Sequence, residues 1–214
     1  RFVEQKHFIE NASHELQTPL AISINKLELF IENNTLDETQ LAAIASVLDN
    51  LGQLTRLNKS LSLLSKIENQ QFSNDEAVDF NQLSTDIVAD FEDFSLHKNV
   101  DVKIGSGSKL VFRMNKDLAV ILLTNLIKNA VVHGNPNETI RIDIEPTMFT
   151  IRNSGKPKAL KPKIFSRFKK MSPDKKSTGL GLAIAKAIAN KYNIRIDYEF
   201  DGTHNFKMVF PKKS

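Results

Sequence analysis

The chain has 214 residues, of which 41% are hydrophobic and 25% charged, a balance ordinary for one or two globular domains. It has no cysteine, which excludes disulfides, thiolate catalysis and cysteine-bound zinc and fits a reducing compartment. No apolar run approaches the ~18 residues that span a bilayer. The net charge of +4 raises nucleic acid as a partner, yet the excess sits in residues 156–176, where nine Lys and Arg face one acid, Asp174, and both tyrosines lie elsewhere. No nucleic-acid partner is expected, and attraction of a nucleotide's phosphates is the alternative use of such a cluster. Opening on Arg1 with no signal-peptide pattern, the chain reads as a piece of something longer.

Apolar residues at Ile9, Ala12, Leu16, Leu20, Ile24, Leu27 and Ile31 follow the spacing of one buried helical stripe and predict a helix to about Glu32. At ~100° per residue, His14 projects away from that stripe toward water, with Glu15 beside it and Thr18 one turn later on the same side. Pro19 removes a backbone hydrogen bond and predicts a bend. Asn33-Asn34-Thr35 favours a turn. A second helix follows from Asp37 to Asn69, with Ile44, Val47, Leu51, Leu54, Leu57, Leu61, Leu64 and Ile67 forming a heptad-like seam. Two such helices make an antiparallel hairpin with too little core of its own. A second copy would complete a four-helix bundle, so a homodimer is expected.

Between residues 68 and 77 the seam is lost and the sequence turns polar, placing a boundary between domains 1–70 and 71–214. Val78-Asp79-Phe80 reads as a strand, and Asn81 as the cap of a helix running to about His97 through Leu83, Ile87, Val88 and Phe91. Residues 100–104 alternate as a strand, Gly105 and Gly107 break it, and Leu110-Val111-Phe112 reads as its hairpin partner. Asn115 caps an apolar helix from Leu118 to His133. Strands at 139–144 and 148–151 follow, joined at Glu145-Pro146-Thr147. The basic segment, with three prolines, predicts a mobile loop carrying a short helix near Phe165 and Phe168. A helix from Gly181 to Tyr192 and strands at 194–200 and 204–210 complete an α+β two-layer sandwich.

Three stretches in this second half carry chemistry. Asn125 and Asn129 lie four residues apart on one helix face, where a side-chain carbonyl suits Mg²⁺ and mutual satisfaction or capping of backbone is the alternative. Asn153-Ser154-Gly155 follows a strand directly. Thr178-Gly179-Leu180-Gly181 opens a helix, where glycines allow close backbone approach and free N–H groups attract phosphate.

The run His14-Glu15-Leu16-Gln17-Thr18-Pro19-Leu20 resembles the phosphoacceptor box of the two-component sensor histidine kinases, with Gln17 where that family commonly has arginine or lysine. Asn129, then Asn153 and Gly155, then Phe165 and Phe168, then Gly179 and Gly181 are similar, in order, to the N, G1, F and G2 boxes of the same family's ATP-binding domain. The resemblance implies a dimeric helical hairpin followed by a sandwich of the gyrase type. It also implies an ATP-dependent protein-histidine kinase. In that reading the His14 imidazole attacks the γ-phosphate with Glu15 as base, and the phosphoryl group passes to an aspartate of a response-regulator receiver domain. Thr18 resembles the family's phosphatase residue. Asn129 would hold Mg²⁺ on ATP, Asn125 would support it or touch phosphate, and Arg167 would reach the γ-phosphate. Thr178, Gly179, Leu180 and Gly181 would face the phosphates.

Four departures bear on nucleotide binding. Asn153 replaces the aspartate that accepts from the adenine amino group, and Pro157 replaces the second G1 glycine. Ser177 stands for the first G2 glycine. Val132 stands where a basic residue often reaches phosphate, leaving His133, Lys128 or lysines of the basic segment as substitutes. Altered nucleotide affinity is expected. The alternative is a degenerate kinase acting as a dimeric scaffold that binds a regulator without autophosphorylation; an ATP-driven clamp leaves the His14 box unexplained. The family resemblance places the chain in the cytoplasmic portion of a bacterial inner-membrane sensor, touching membrane only through a missing upstream region.

Overall fold

A computed structural model of the protein describes residues 2–105, 107–160, 164–166 and 178–212, with the side chains of residues 2–10 outside the description. Two compact units emerge, Arg1–Gln71 with Arg167–Leu180, and Phe72–Ser166 with Gly181–Ser214.

In the first unit, α1 (Phe2–Asn33) and α2 (Glu38–Glu68) pack against each other. The turn between them is closed by a capping box: the Asp37 carboxylate accepts from the Gln40 N–H at 2.8 Å, and the Gln40 side-chain oxygen accepts from the Asp37 N–H at 3.1 Å. At the far end of α2 the Asn69 N–H donates to the Ser65 carbonyl. Pro19 has no N–H to offer, yet α1 continues through it to Asn33, and the Ser23 hydroxyl donates to the Pro19 carbonyl at 2.8 Å.

Burial in this unit is shallow. Ala12, Leu20, Ile24, Leu27 and Ile31 are half-buried, as are Ile44, Leu51, Leu57 and Leu61 across the hairpin, while Leu64 and Ile67 are fully buried. Leu16, Val47 and Leu54, seam residues by their spacing, instead remain exposed, Leu16 by 53%. Ile22, Leu29, Phe30 and Leu41 join them as further exposed apolar side chains. Two helices can cover only one side of each other, so a second apolar face is left over.

The second unit contains β1 (Glu76–Asp79), α3 (Phe80–Asp90), α4 (Glu92–Lys98), β2 (Asp101–Gly105), β3 (Val111–Met114), α5 (Lys116–His133), β4 (Thr139–Glu145), β5 (Met148–Asn153), α6 (Gly181–Lys191), β6 (Arg195–Phe200) and β7 (His204–Val209). A five-stranded sheet has the order β2-β4-β5-β7-β6, with β2 parallel to β4 and the other pairs antiparallel. Helices α5 and α6 pack together, and α5 lies against β5. Phe149, Ile151, Phe206 and Met208 from the sheet, Leu118, Leu122 and Leu126 from α5, and Ala185 and Ile188 from α6 are all essentially inaccessible to water. The α+β sandwich expected from the sequence is the fold observed.

Three local expectations are corrected. Strand β3 is not the hairpin partner of β2: it pairs antiparallel with β1, Val78 opposite Phe112, while β2 runs parallel beside β4, Val102 opposite Ile140. The cap of α3 is Asp79, whose carboxylate accepts from the Asn81 and Gln82 N–H groups, and Lys109 beside it holds that carboxyl below the usual range. Asn81 is thereby freed to bridge to the Leu110 N–H and the Ser108 carbonyl. The helix expected to reach His97 ends at Phe91, and α4 restarts from it and stops at Asn99, which takes a left-handed conformation. The Asn115 cap is present, its side-chain oxygen accepting from the Leu118 N–H at 3.1 Å. Ile164 and Phe165 form a turn, and the rest of the stretch in which a short helix was expected, Phe168 included, lies outside the described residues.

The chain after α2 is tied into the second unit early. Asn115 donates through its side chain to the Ser73 carbonyl at 2.8 Å, and the Tyr192 hydroxyl accepts from the Asn115 N–H and donates to Asp75. Burial pushes the Tyr192 phenol up to about 12.

Candidate functional site

His14, Glu15 and Thr18 are all exposed on α1. Immediately before them Ser13 is buried, and its carbonyl accepts from the Asn58 side-chain N–H of α2 at 2.6 Å, a bond in which both residues are buried. The backbone that presents His14 is thus fixed from the opposite helix while the imidazole stays in water. Neither Ser13 nor Asn58 stands out in the sequence. The only signal is an amide among the apolar residues of the α2 seam.

In the second unit α5 displays Asn125 and Asn129, both half-buried. The two amides do not bond each other. Asn125 donates to the Ile121 carbonyl at 2.8 Å and turns its oxygen toward the start of α6, where a Cβ on Gly181 would lie 2.7 Å from it. Only glycine lets α6 begin this close to α5. Asn129 has no hydrogen-bond partner among the described residues, so its carbonyl oxygen is available as a hard ligand for Mg²⁺. No cluster of three His, Cys, Asp or Glu that could hold a metal occurs among the described residues, so an ion here would take most of its ligands from phosphate and water.

At the end of β5, Asn153 is buried and its side-chain N–H donates to the Ser154 carbonyl at 2.8 Å. That bond commits the amide nitrogen and leaves the oxygen as acceptor, the polarity that an adenine amino group needs. The Ser154 hydroxyl oxygen is buried without a partner among the described residues, a second polar atom that a nucleotide base would satisfy. Gly155 is hemmed in: a Cβ there would come within 2.8 Å of the His204 ring and 3.1 Å of the His133 carbonyl. His133 itself, half-buried, ends α5 next to this loop, and Asn135 donates to the Gly155 carbonyl.

Behind this loop stands a second feature absent from the sequence reading. The buried His204 ring contacts the Lys156 carbonyl through Nε2 and the Tyr198 hydroxyl through Nδ1. Phe165 sits edge-on to Phe206 with the Lys186 ammonium over its ring. Arg167 lies outside the described residues. Thr178, Gly179 and Leu180 fall in the first unit: the Thr178 hydroxyl accepts from the Leu180 N–H, Gly179 has φ +70° and Leu180 is buried.

Residues 4–70 match the His Kinase A (phospho-acceptor) domain, and residues 114–214 match the histidine kinase-, DNA gyrase B-, and HSP90-like ATPase. The chain belongs to the two-component sensor histidine kinases. His14 lies inside the first match, and Asn125, Asn129, Asn153, Gly155 and Gly181 lie inside the second. Among relatives of this histidine kinase core is the heme sensor protein HssS of Staphylococcus haemolyticus, 31% identical over 97% of this chain and 47% of its own length. The core therefore spans about half the length of the curated relatives it matches. The solved Acinetobacter baumannii histidine kinase AdeS shares the fold, with a TM-score of 0.63 at 24% identity over 92% of this chain and 96% of that one. The catalytic domain of histidine kinase ThkA, 25% identical, matches 65% of this chain and 97% of its own with a TM-score of 0.56. The second match implies a nucleotide-binding ATPase domain. No helix among the described residues is long and apolar enough to cross a membrane.

Proposed function

We propose that this chain is the catalytic core of an ATP-dependent protein-histidine kinase that phosphorylates His14 and passes the phosphoryl group to an aspartate of a response-regulator receiver domain. The observation that carries the reading is the placement of His14: water-facing, beside a carboxylate, on backbone fixed by Asn58, in a chain that also carries an ATPase domain.

One neutral ring nitrogen of His14 attacks the γ-phosphorus in line as the bond to the β–γ bridging oxygen breaks and ADP departs. The proton on the other ring nitrogen is held, and then accepted, by Glu15. Asn153 accepts from the adenine amino group, while Asn129, one turn along α5 from Asn125, would hold Mg²⁺. Mg²⁺, when bound, neutralises phosphate charge. The first turn of α6, opening at Gly181, offers unpaired backbone N–H groups to the phosphates. The stretch 178–180 leads into that turn, His133 lies at the end of α5 beside the base-binding loop, and Arg167 supplies further positive charge. Thr18, one turn from His14, orients a water for hydrolysis of the regulator's acyl phosphate.

A second copy covers the exposed apolar side chains of α1 and α2, giving the homodimer. The hairpin, to about residue 70, is the dimerisation and phosphotransfer domain, and the remainder is the ATP-binding domain, both in the cytoplasmic portion of a membrane sensor. Asn153 and Pro157, which depart from the family's pattern, favour one second reading, a scaffold that binds regulator without labelling itself.

Incubation with γ-labelled ATP and Mg²⁺ separates the two. The kinase reading expects acid-labile, base-stable label on the parent chain and none on His14→Gln. A folded dimer that stays unlabelled at millimolar nucleotide leaves the scaffold.

A further inference from the structure

The loop that follows Gly155 is held by a side-chain relay with fixed polarity. His204, the first residue of β7, is 5% exposed, and its Nε2 lies 3.0 Å from the Lys156 carbonyl. A carbonyl only accepts, so Nε2 carries the proton. In the neutral ring Nδ1 is then the acceptor, and it receives the Tyr198 hydroxyl at 2.8 Å. The Tyr198 oxygen in turn accepts from the Leu160 N–H at 3.0 Å. The relay therefore reads Leu160 N–H to Tyr198 O–H to His204 Nδ1, and His204 Nε2–H to Lys156 C=O. Both ends grip the same five-residue stretch, 156–160, with Pro157 between them restricting φ.

The same ring stacks on Tyr198 at 5.9 Å and presses on Gly155, where any side chain would clash. Asn153, Ser154 and Gly155 thus form one side of a wall whose other side is His204. We propose that His204 and Tyr198 are positioning residues for nucleotide binding: they hold residues 156–160 so that Asn153 Oδ1 and the Ser154 hydroxyl meet the base in one geometry. The inference rests on the reading of this loop as the base-binding edge of the ATPase domain. Neither residue touches the nucleotide, and each acts through the loop.

The test uses the whole chain and reads binding, not labelling, so it stands apart from whether His14 accepts phosphate. His204→Phe keeps a ring against Gly155 and removes both of its bonds; Tyr198→Phe removes the Leu160 and His204 bonds and keeps the stack. Titration with a non-hydrolysable ATP analogue is expected to show Kd raised about tenfold by H204F and about threefold by Y198F, the scale of one or two neutral hydrogen bonds. H204Q, which retains a donor and an acceptor, is expected to fall nearer the parent than H204F. Amide exchange at Leu160 should quicken in H204F and Y198F. Kd values within twofold of the parent in H204F and Y198F, with Leu160 exchange accelerated, overturn the proposal in favour of a purely structural tie. Unchanged exchange at Leu160 overturns it as well, because the relay would then hold nothing. A parent that binds the analogue but never labels His14 defeats the kinase reading alone.

Discussion

The two units of this chain solve opposite problems. The hairpin leaves Leu16, Ile22, Leu29, Phe30, Val47 and Leu54 in water and spends its few buried polar contacts, such as Asn58 to Ser13, on fixing the turn that carries His14. The sandwich seals Phe149, Phe206, Leu122 and Leu126 completely and builds its candidate cleft from close approaches, Gly181 against Asn125 and Gly155 against His204. Under the proposed function a phosphoacceptor has to meet more than one visitor and must stay accessible, which a thin scaffold completed by association would allow. A nucleotide cleft has to be preformed, so its scaffold is a self-sufficient core.

That contrast can be broken at its strongest point first. Phe149→Ala removes a fully buried ring between sheet and helices and is expected to cost about 3–5 kcal/mol, lost from the second unit while the helical signal of the hairpin survives; two-probe denaturation checks it. Gly181→Ala sets a methyl against Asn125 and is expected to weaken ATP binding about tenfold or more, through a shifted α6 start, with thermal stability nearly unchanged. Calorimetric titration beside a melting curve separates the two effects. On the hairpin, Leu29→Asp places a charge on the leftover apolar face and is expected to shift the chain from dimer to monomer in sedimentation, leaving nucleotide binding by the sandwich intact. The smallest change expected is at Asn153→Asp, where a charge-assisted bond to the adenine amino group should tighten ATP binding a few-fold. No gain there would mean that the amide oxygen does not face the base.

The sequence exposed the two halves to different depths. Helical stripes, the asparagine cap at Asn115 and the His14 run are local patterns, and the described fold carries them at the expected places. Partner choice over distance was not legible. Strands β2 and β3 are neighbours in sequence with a glycine break between them, yet β2 pairs with β4 and β3 with β1, pairings between segments far apart in the chain that a local alternation of side chains does not encode. Asp79 displaced Asn81 as the α3 cap by a two-residue shift, since either side chain can fill that role and only the Leu110 contact decides which is free.

The candidate site divides in the same way. Asn125, Asn129, Asn153, Gly155 and Gly181 are visible as spaced motifs. Asn58, Tyr198 and His204 are not, because each works through a backbone carbonyl or a side chain dozens of residues away or across a hairpin. The two asparagines also differ in their surroundings: Asn125 bonds back to the Ile121 carbonyl with its oxygen close to the start of α6, and Asn129 has no protein partner among the described residues.

The most direct measurement maps the phosphorylated residue after the chain has turned over ATP with Mg²⁺, by mass spectrometry under conditions that preserve phosphohistidine. The account predicts one phosphoryl group, on His14. Phosphate on another residue, or ATP hydrolysis to free phosphate at the same rate in His14→Gln as in the parent, would contradict it.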